Sequence, residues 1–142
     1  ITLNKLPIEL ARGLELHACT DVTGFSLMGH GCEMAEASGM TARINASDVP
    51  VMARAREMAK MGLIPAGAYR NRDFFGPRVS ISDDVPLDLS DVLFDPQTSG
   101  GLLLAMPEGD ADVLVSRLRD AGQPASVVGS MCAHDGYSVR VL

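Results

Sequence analysis

Tryptophan is missing from this chain, and aromatic residues of every kind make up only 4% of it. A core of 142 residues must therefore be assembled from Leu, Val, Ala, Ile and eight Met rather than from large rings. Cysteine is also sparse. Cys19, Cys32 and Cys132 are odd in number, far apart and never in a C-x-x-C pair, so neither a zinc cluster nor a disulfide framework is indicated and a reducing cytosol is the plain reading. Positive charge is in the minority: 12 Lys and Arg face 18 Asp and Glu, a net charge of −6. That balance argues against sequence-independent nucleic-acid binding, which needs a basic surface. It leaves nucleotides open, because a divalent cation can bridge carboxylates to phosphates. No apolar run approaches the roughly 20 residues of a membrane span, and no signal-peptide pattern is present. The chain starts at Ile1 rather than Met, which reads as a piece of something longer.

The usual catalytic signatures are missing as well. There is no G-x-x-x-x-G-K-S/T and no strand-linked G-x-G-x-x-G. Ser26, in Gly24-Phe25-Ser26-Leu27-Met28, lacks the flanking glycines of a nucleophile elbow. His17, His30 and His134 are too scattered to imply a metal triad.

What is present is 46% apolar and 21% charged, the balance of one ordinary globular domain over residues 1–142. Residues 5–12 predict a short helix with Pro7 in its first turn and Gly13 as its stop. Leu14, Leu16 and Ala18 alternate into a strand that runs to Asp21. Phe25, Met28, Cys32 and Ala35 recur at helical spacing from Gly24 to Ser38, and Gly39 closes that helix. Residues 41–46 alternate again as a strand. Ser47 or Asp48 then caps a second helix, with Pro50 in its first turn and Gly62 at its end. Residues 62–92, with Gly62, Pro65, Gly67, Gly76, Pro77 and Pro86, predict a long loop that covers a partner or serves function, with its path and its order without the partner domain left open by the sequence. Residues 101–106 read as a buried strand, 110–121 as a helix stopped by Gly122, and 125–131 with 137–142 as a hairpin through Ala133-His134-Asp135-Gly136. The order β-α-β-α … β-α-β-β makes an α+β domain, a mixed sheet covered by helices.

Two stretches carry candidate chemistry. In Asp21-Val22-Thr23-Gly24-Phe25-Ser26-Leu27-Met28-Gly29-His30, Asp21 either caps the helix that follows, the commoner use of such an Asp, or holds a metal ion where the helix amino end adds positive charge. His30 has no visible partner and reads as packing or hydrogen-bonding within its helix. Gly29 and Gly31 cost helix propensity, and close approach by another segment is the best reason for them. In Phe94-Asp95-Pro96-Gln97-Thr98-Ser99-Gly100-Gly101, the turn either faces an anion with its backbone N–H groups or is a tight entry into the next strand. Arg70-Asn71-Arg72 could meet phosphate or lie on a solvated surface. Cys19 could be a reactive thiol, though a strand cysteine is more often a small buried hydrophobe.

Residues 18–30 resemble the D-V-T-G-F-G-L-x-G-H signature of the selenophosphate synthetases, also called selenide, water dikinases. Asp95 to Leu103 is similar to that family's second hallmark, and Gly62 to Arg72 to a third block. Ser26 stands where the family usually has glycine; the small residue implies little change beyond a stiffer backbone. The resemblance implies the C-terminal domain of an aminoimidazole ribonucleotide synthetase-like fold. It places the N-terminal domain outside this chain, together with its catalytic cysteine or selenocysteine, its lysine and most of its metal-binding aspartates. The parent enzyme so implied is a cytoplasmic homodimer that holds ATP and Mg²⁺, and turns ATP, selenide and water into selenophosphate, AMP and orthophosphate. Asp21 matches the one metal-binding aspartate that this domain supplies. No residue here is implied to be catalytic, and the fragment alone is expected to be inactive. Thr98, Ser99, Gly100, Gly101 and Asn71 are further candidates for the ATP side of the site. A non-catalytic module of the same fold, or a sister ATP-dependent synthetase, is the alternative.

Overall fold

The structure, a computed structural model, describes residues 4–142. It is α+β. In chain order it runs α1 (Lys5–Leu10), β1 (Ala18–Asp21), α2 (Ser26–Ser38), β2 (Met40–Ile44), α3 (Ala53–Lys60), α4 (Ala66–Phe75), β3 (Val79–Ile81), α5 (Leu87–Leu93), β4 (Leu102–Ala105), α6 (Glu108–Asp120), β5 (Gly129–Ala133) and β6 (Val139–Val141). No helix among the described residues is long and apolar enough to cross a membrane.

The strands form two sheets rather than one. Four of them make a mixed sheet in the order β3-β6-β2-β5, with β6 parallel to both β2 and β3 and β5 antiparallel to β2. Ala42, Ile44, Val139 and Val141 alternate onto the face covered by α2, where Leu27, Met28, Cys32 and Ala35 meet them. The opposite face carries the register neighbours Arg43, Arg140 and Ser80. Strands β1 and β4 make a separate antiparallel ribbon. Leu103 packs against the main core, while Leu104 packs against a smaller core built from Ala11, Leu114 and Leu118 of the α1 and α6 regions.

Helix ends follow local chemistry. Gly39 ends α2 in the left-handed conformation at φ 63°, its N–H returning to carbonyls of the last turn. Helix α6 has Glu108 and Asp110 in its first turn and Arg117 and Arg119 in its last, complementing the helix dipole.

Several expectations are corrected. The loop expected over 62–92 is ordered structure: α4, β3 and α5 fill it. Its prolines mark boundaries, since Pro65 and Pro86 sit at the N-caps of α4 and α5, and sparse apolar residues (Ala68, Phe75, Leu89, Leu93) reach the core. The helix expected from Ser47 or Asp48 begins only at Ala53, after a 3-10 turn over Ala46–Asp48. Val49 precedes Pro50 and is held extended at φ −71°, ψ 122°, as the proline ring demands. The hairpin is split: β2 lies between β5 and β6, because Val139 and Val141, at 0 and 1% exposure, belong in the middle of the sheet. Strand β1 starts at Ala18 rather than Leu14, and β4 is half-buried in a ribbon instead of fully enclosed.

Candidate functional site

The three stretches singled out in the sequence meet at one turn. Strand β1 ends at Asp21, opposite Leu102 of β4. The ladder continues one step, with Val22 N–H donating to Gly101 O at 2.9 Å. The chain then reverses tightly, and Ser26 N–H donates to Thr23 O at 2.9 Å. Gln97 N–H donates to the same Thr23 oxygen at 3.1 Å. Asn71, from α4, is 8% exposed. Its Nδ2 donates to Gly24 O (2.9 Å) and to Phe94 O (3.1 Å), joining the residue 21–30 turn to the residue 95–101 turn.

The glycines of these stretches are where the segments touch. A methyl at Gly100 would overlap the Val22 carbonyl oxygen, and one at Gly67 would lie 2.7 Å from Pro96 Cγ. At Gly29 it would lie 2.7 Å from Phe75 Cε2 and 2.8 Å from Phe25 Cβ, which is the close approach expected there. Gly31 is different: its nearest neighbour, Val139 Cγ2, would sit at an ordinary 3.4 Å.

Asp21 does not cap the helix. The N-cap of α2 is Phe25, without a side-chain capping hydrogen bond. The first turn is served instead by Ser26 Oγ, which accepts the Gly29 N–H at 3.4 Å. Asp21 is exposed, and among the described residues no hydrogen bond or salt bridge engages its carboxylate. A carboxylate left free on a strand-to-helix turn fits one ligand's share of a hydrated cation. It is one share only, because no group of three or more His, Cys, Asp or Glu among the described residues could hold a metal by itself.

The other sequence candidates fall as follows. Thr98, Ser99 and Gly101 are exposed and Gly100 is half-buried, on the turn that abuts Val22. Asn71 has its amide committed to the two backbone carbonyls. Arg72 is engaged structurally: it pairs with Asp91 at 2.7 Å, donates to Ser90 Oγ and lies 5.1 Å from the Phe94 ring centre. Arg70 is exposed. Cys19 is exposed rather than a buried strand residue; partial burial and the Asp21 charge push its thiol above the ordinary value, which disfavours the reactive thiolate. Asp95 is half-buried, and burial pushes its carboxyl above the ordinary value.

His30 hydrogen-bonds within its helix as expected, and a second connection, to Thr23, escaped the sequence reading. His30 is buried and has two partners, Glu33 Oε2 on Nδ1 and Thr23 Oγ1 on Nε2, each at 2.9 Å. The i, i+3 spacing of His30 and Glu33 on one helix was a visible signal for the first. Nothing in the spacing of Thr23 and His30 announced the second.

Residues 2–142 match the family model described as "AIR synthase related protein, C-terminal domain". The chain is similar to "Selenide, water dikinase" of Pelobacter propionicus, 51% identical over 130 residues that cover 91% of this chain and 37% of that protein. It is 45% identical to the protein of that name from Clostridium botulinum (strain Eklund 17B / Type B) over 130 residues, 92% of this chain and 38% of the relative. "Selenide, water dikinase 2" of Peptoclostridium acidaminophilum is 41% identical over 141 residues, 99% and 40% of the two chains. The chain therefore spans about two fifths of the length of the curated relatives it matches.

Proposed function

The chain belongs to the family of AIR synthase related C-terminal domains, and we propose that it is the C-terminal domain of a selenide, water dikinase. In this reading the parent enzyme converts selenide, ATP and water into selenophosphate, AMP and orthophosphate, as a cytoplasmic homodimer. The observation that carries it is the state of Asp21: a free, exposed carboxylate on a turn that three separate stretches hold in place.

Phosphoryl transfer is mostly positioning and charge neutralisation. Bound Mg²⁺ would supply the second, and Asp21 would be this domain's ligand to it. The β1–β4 ladder, the Gln97 N–H and the Asn71 amide fix the backbone on both sides of that carboxylate. Thr98 and Ser99 present exposed hydroxyls on the adjoining turn, on the side proposed for ATP. A cation held by one carboxylate and waters is bound weakly, so the remaining ligands come from the part of the parent enzyme that this domain closes upon.

In the full-length enzyme, Asp21→Asn should raise the Mg²⁺ needed for half-maximal turnover by roughly ten- to a hundredfold with the fold intact. An unchanged magnesium titration would return Asp21 to a surface role. The present chain alone should release no AMP from ATP in the presence of selenide; release by the purified chain would overturn the division of labour.

A further inference from the structure

Thr23, His30 and Glu33 form one hydrogen-bonded chain that ends at Thr23, two residues along the chain from Asp21. The His30 ring is 8% exposed and lies 5.8 Å from the Phe25 ring, centre to centre. Its Nδ1 meets Glu33 Oε2 and its Nε2 meets Thr23 Oγ1, both at 2.9 Å. In the state where the ring is neutral and Glu33 a carboxylate, which only accepts, the contact at 2.9 Å sets the ring proton on Nδ1. Nε2 is then an acceptor, and the Thr23 hydroxyl must donate to it. The Thr23 proton is then turned toward the ring, which leaves both lone pairs of its oxygen as acceptors.

Direction follows from the strand. Val22 is buried at 6% exposure and its N–H is in the ladder with Gly101. Side chains alternate along such a segment, so Asp21 and Thr23 both project away from the side that Val22 buries. We propose that Glu33 and His30 are positioning residues that lock the Thr23 hydroxyl as an outward acceptor, beside the Asp21 carboxylate, for a water of a hydrated divalent cation. This rests on the reading of Asp21 as a metal ligand. Mg²⁺ keeps several waters when protein-bound, and those waters are donors. An acceptor beside the carboxylate adds a contact to a site that one carboxylate holds weakly. A hydroxyl turned the other way would offer a proton to a cation.

The groups that face this ring are few. Cys19 of β1 and His17, just before that strand, line the same hollow of about 320 Å³ as His30 and Glu33, and neither hydrogen-bonds the ring among the described residues. The Glu33 side chain is 51% exposed, so removing it opens no core.

Two measurements test this. The first is a long-range ¹H–¹⁵N spectrum of this chain, recorded as pH is raised until the His30 ring signals stop shifting. It should show His30 protonated at Nδ1, and Glu33→Ala should move the proton toward Nε2. A wild-type ring protonated at Nε2, or a tautomer indifferent to Glu33→Ala, overturns the proposal. The second is the magnesium requirement of the full-length enzyme. Thr23→Val should raise the Mg²⁺ for half-maximal turnover by about tenfold while kcat at saturating Mg²⁺ holds, and Thr23→Ser should restore it. If Asp21→Asn raises the requirement and Thr23→Val does not, the relay is wrong although the metal reading stands. If neither raises it, the metal reading has failed and the relay falls with it; the spectrum then shows whether the hydrogen-bond chain itself was right.

Discussion

Gly100 and Gly101 are neighbours in sequence and opposites in structure, and replacing each by alanine isolates the contact that joins two of the motif stretches. At Gly100 the added methyl would overlap the Val22 carbonyl oxygen, with Val22 C at 2.9 Å and Gln97 Oε1 at 2.7 Å. Gln97 Oε1 is the end of a flexible side chain and can swing away. The Val22 backbone cannot, because its N–H is bonded to Gly101 O and the next carbonyl, that of Thr23, accepts from Gln97 and Ser26. Relief therefore costs about 1–3 kcal/mol of overpacking and one or two ladder hydrogen bonds at about 0.5–1.5 kcal/mol each. Against that stands about 0.4–1 kcal/mol from the smaller freedom of the unfolded alanine chain. With each term at its mid-range the net loss for Gly100→Ala is about 3 kcal/mol. At Gly101 a methyl meets no described atom within 4 Å, and the backbone is not in the positive-φ region. Gly101→Ala should lie within about 0.5 kcal/mol of wild type, or slightly above it. Urea unfolding followed by circular dichroism reads both, with the midpoint of Gly100→Ala lowered by about 1–2 M for an m-value in the usual range. Equal stabilities for the two variants would refute the reasoning, since it is the neighbour across the turn, rather than glycine as such, that separates them.

Three more expectations follow from the same contacts. Ser26 sits at φ 69° with no exposure, where a side chain costs about 1–2 kcal/mol, so Ser26→Gly should be neutral to about 1 kcal/mol more stable while Ser26→Ala, which keeps the strain and loses the Gly29 contact, is the weaker of the two in thermal unfolding. Burial holds the Asp95 carboxyl above its usual range; the folded state then favours the protonated form, so ionised Asp95 destabilises at neutral pH, stability recovers as pH falls through its raised value, and Asp95→Asn should be as stable as wild type or more so at pH 7 and lose that pH-dependent gain. The Cys32 thiol is fully buried and pushed up to about 12, so iodoacetamide at mildly alkaline pH should label Cys19 and spare Cys32 by mass spectrometry, and Asp21→Asn, by removing the charge that raises the Cys19 thiol, should speed labelling there.

The elements with strong local signals were legible. Helix α2 shows its face in Met28, Cys32 and Ala35 and its end in Gly39, and both are where the spacing puts them. Strands β2, β4, β5 and β6 were found within a few residues of their ends. What failed was long-range. A run of prolines and glycines reads as a loop when each is taken as a breaker, yet Pro65 and Pro86 each open a helix, because an N-cap position needs no N–H from the ring. The hairpin turn of residues 133–137 is real as a reversal: β5 and β6 run in opposite directions about β2. Which strand lies between them is decided by where Val139 and Val141 can be buried, and no turn residue encodes that.

For the site, the case of Asp21 shows where pattern reading stops. A carboxylate before a helix is most often a cap, and the sequence alone had no way to see that the helix would wait until Ser26 and cap itself with Ser26 Oγ. The delay has a local cause. Gln97 N–H claims the Thr23 carbonyl and Asn71 claims that of Gly24, so two of the four residues between strand and helix are already bonded to other segments and cannot take up helical geometry early. Ser26 must then turn through positive φ to start the helix, at the position where the resemblance expects glycine. The free carboxylate and the strained serine therefore have one origin. The turn is held open from outside by Gln97 and Asn71, and a variant that loosens those bonds, such as Asn71→Leu, should release the strain at Ser26 and cost Asp21 its fixed position together. Hydrogen exchange at the Gly29 amide, bonded to Phe25 O and Ser26 Oγ, reads that coupling; protection unchanged in Asn71→Leu would mean that α2 starts at Ser26 for reasons internal to the helix.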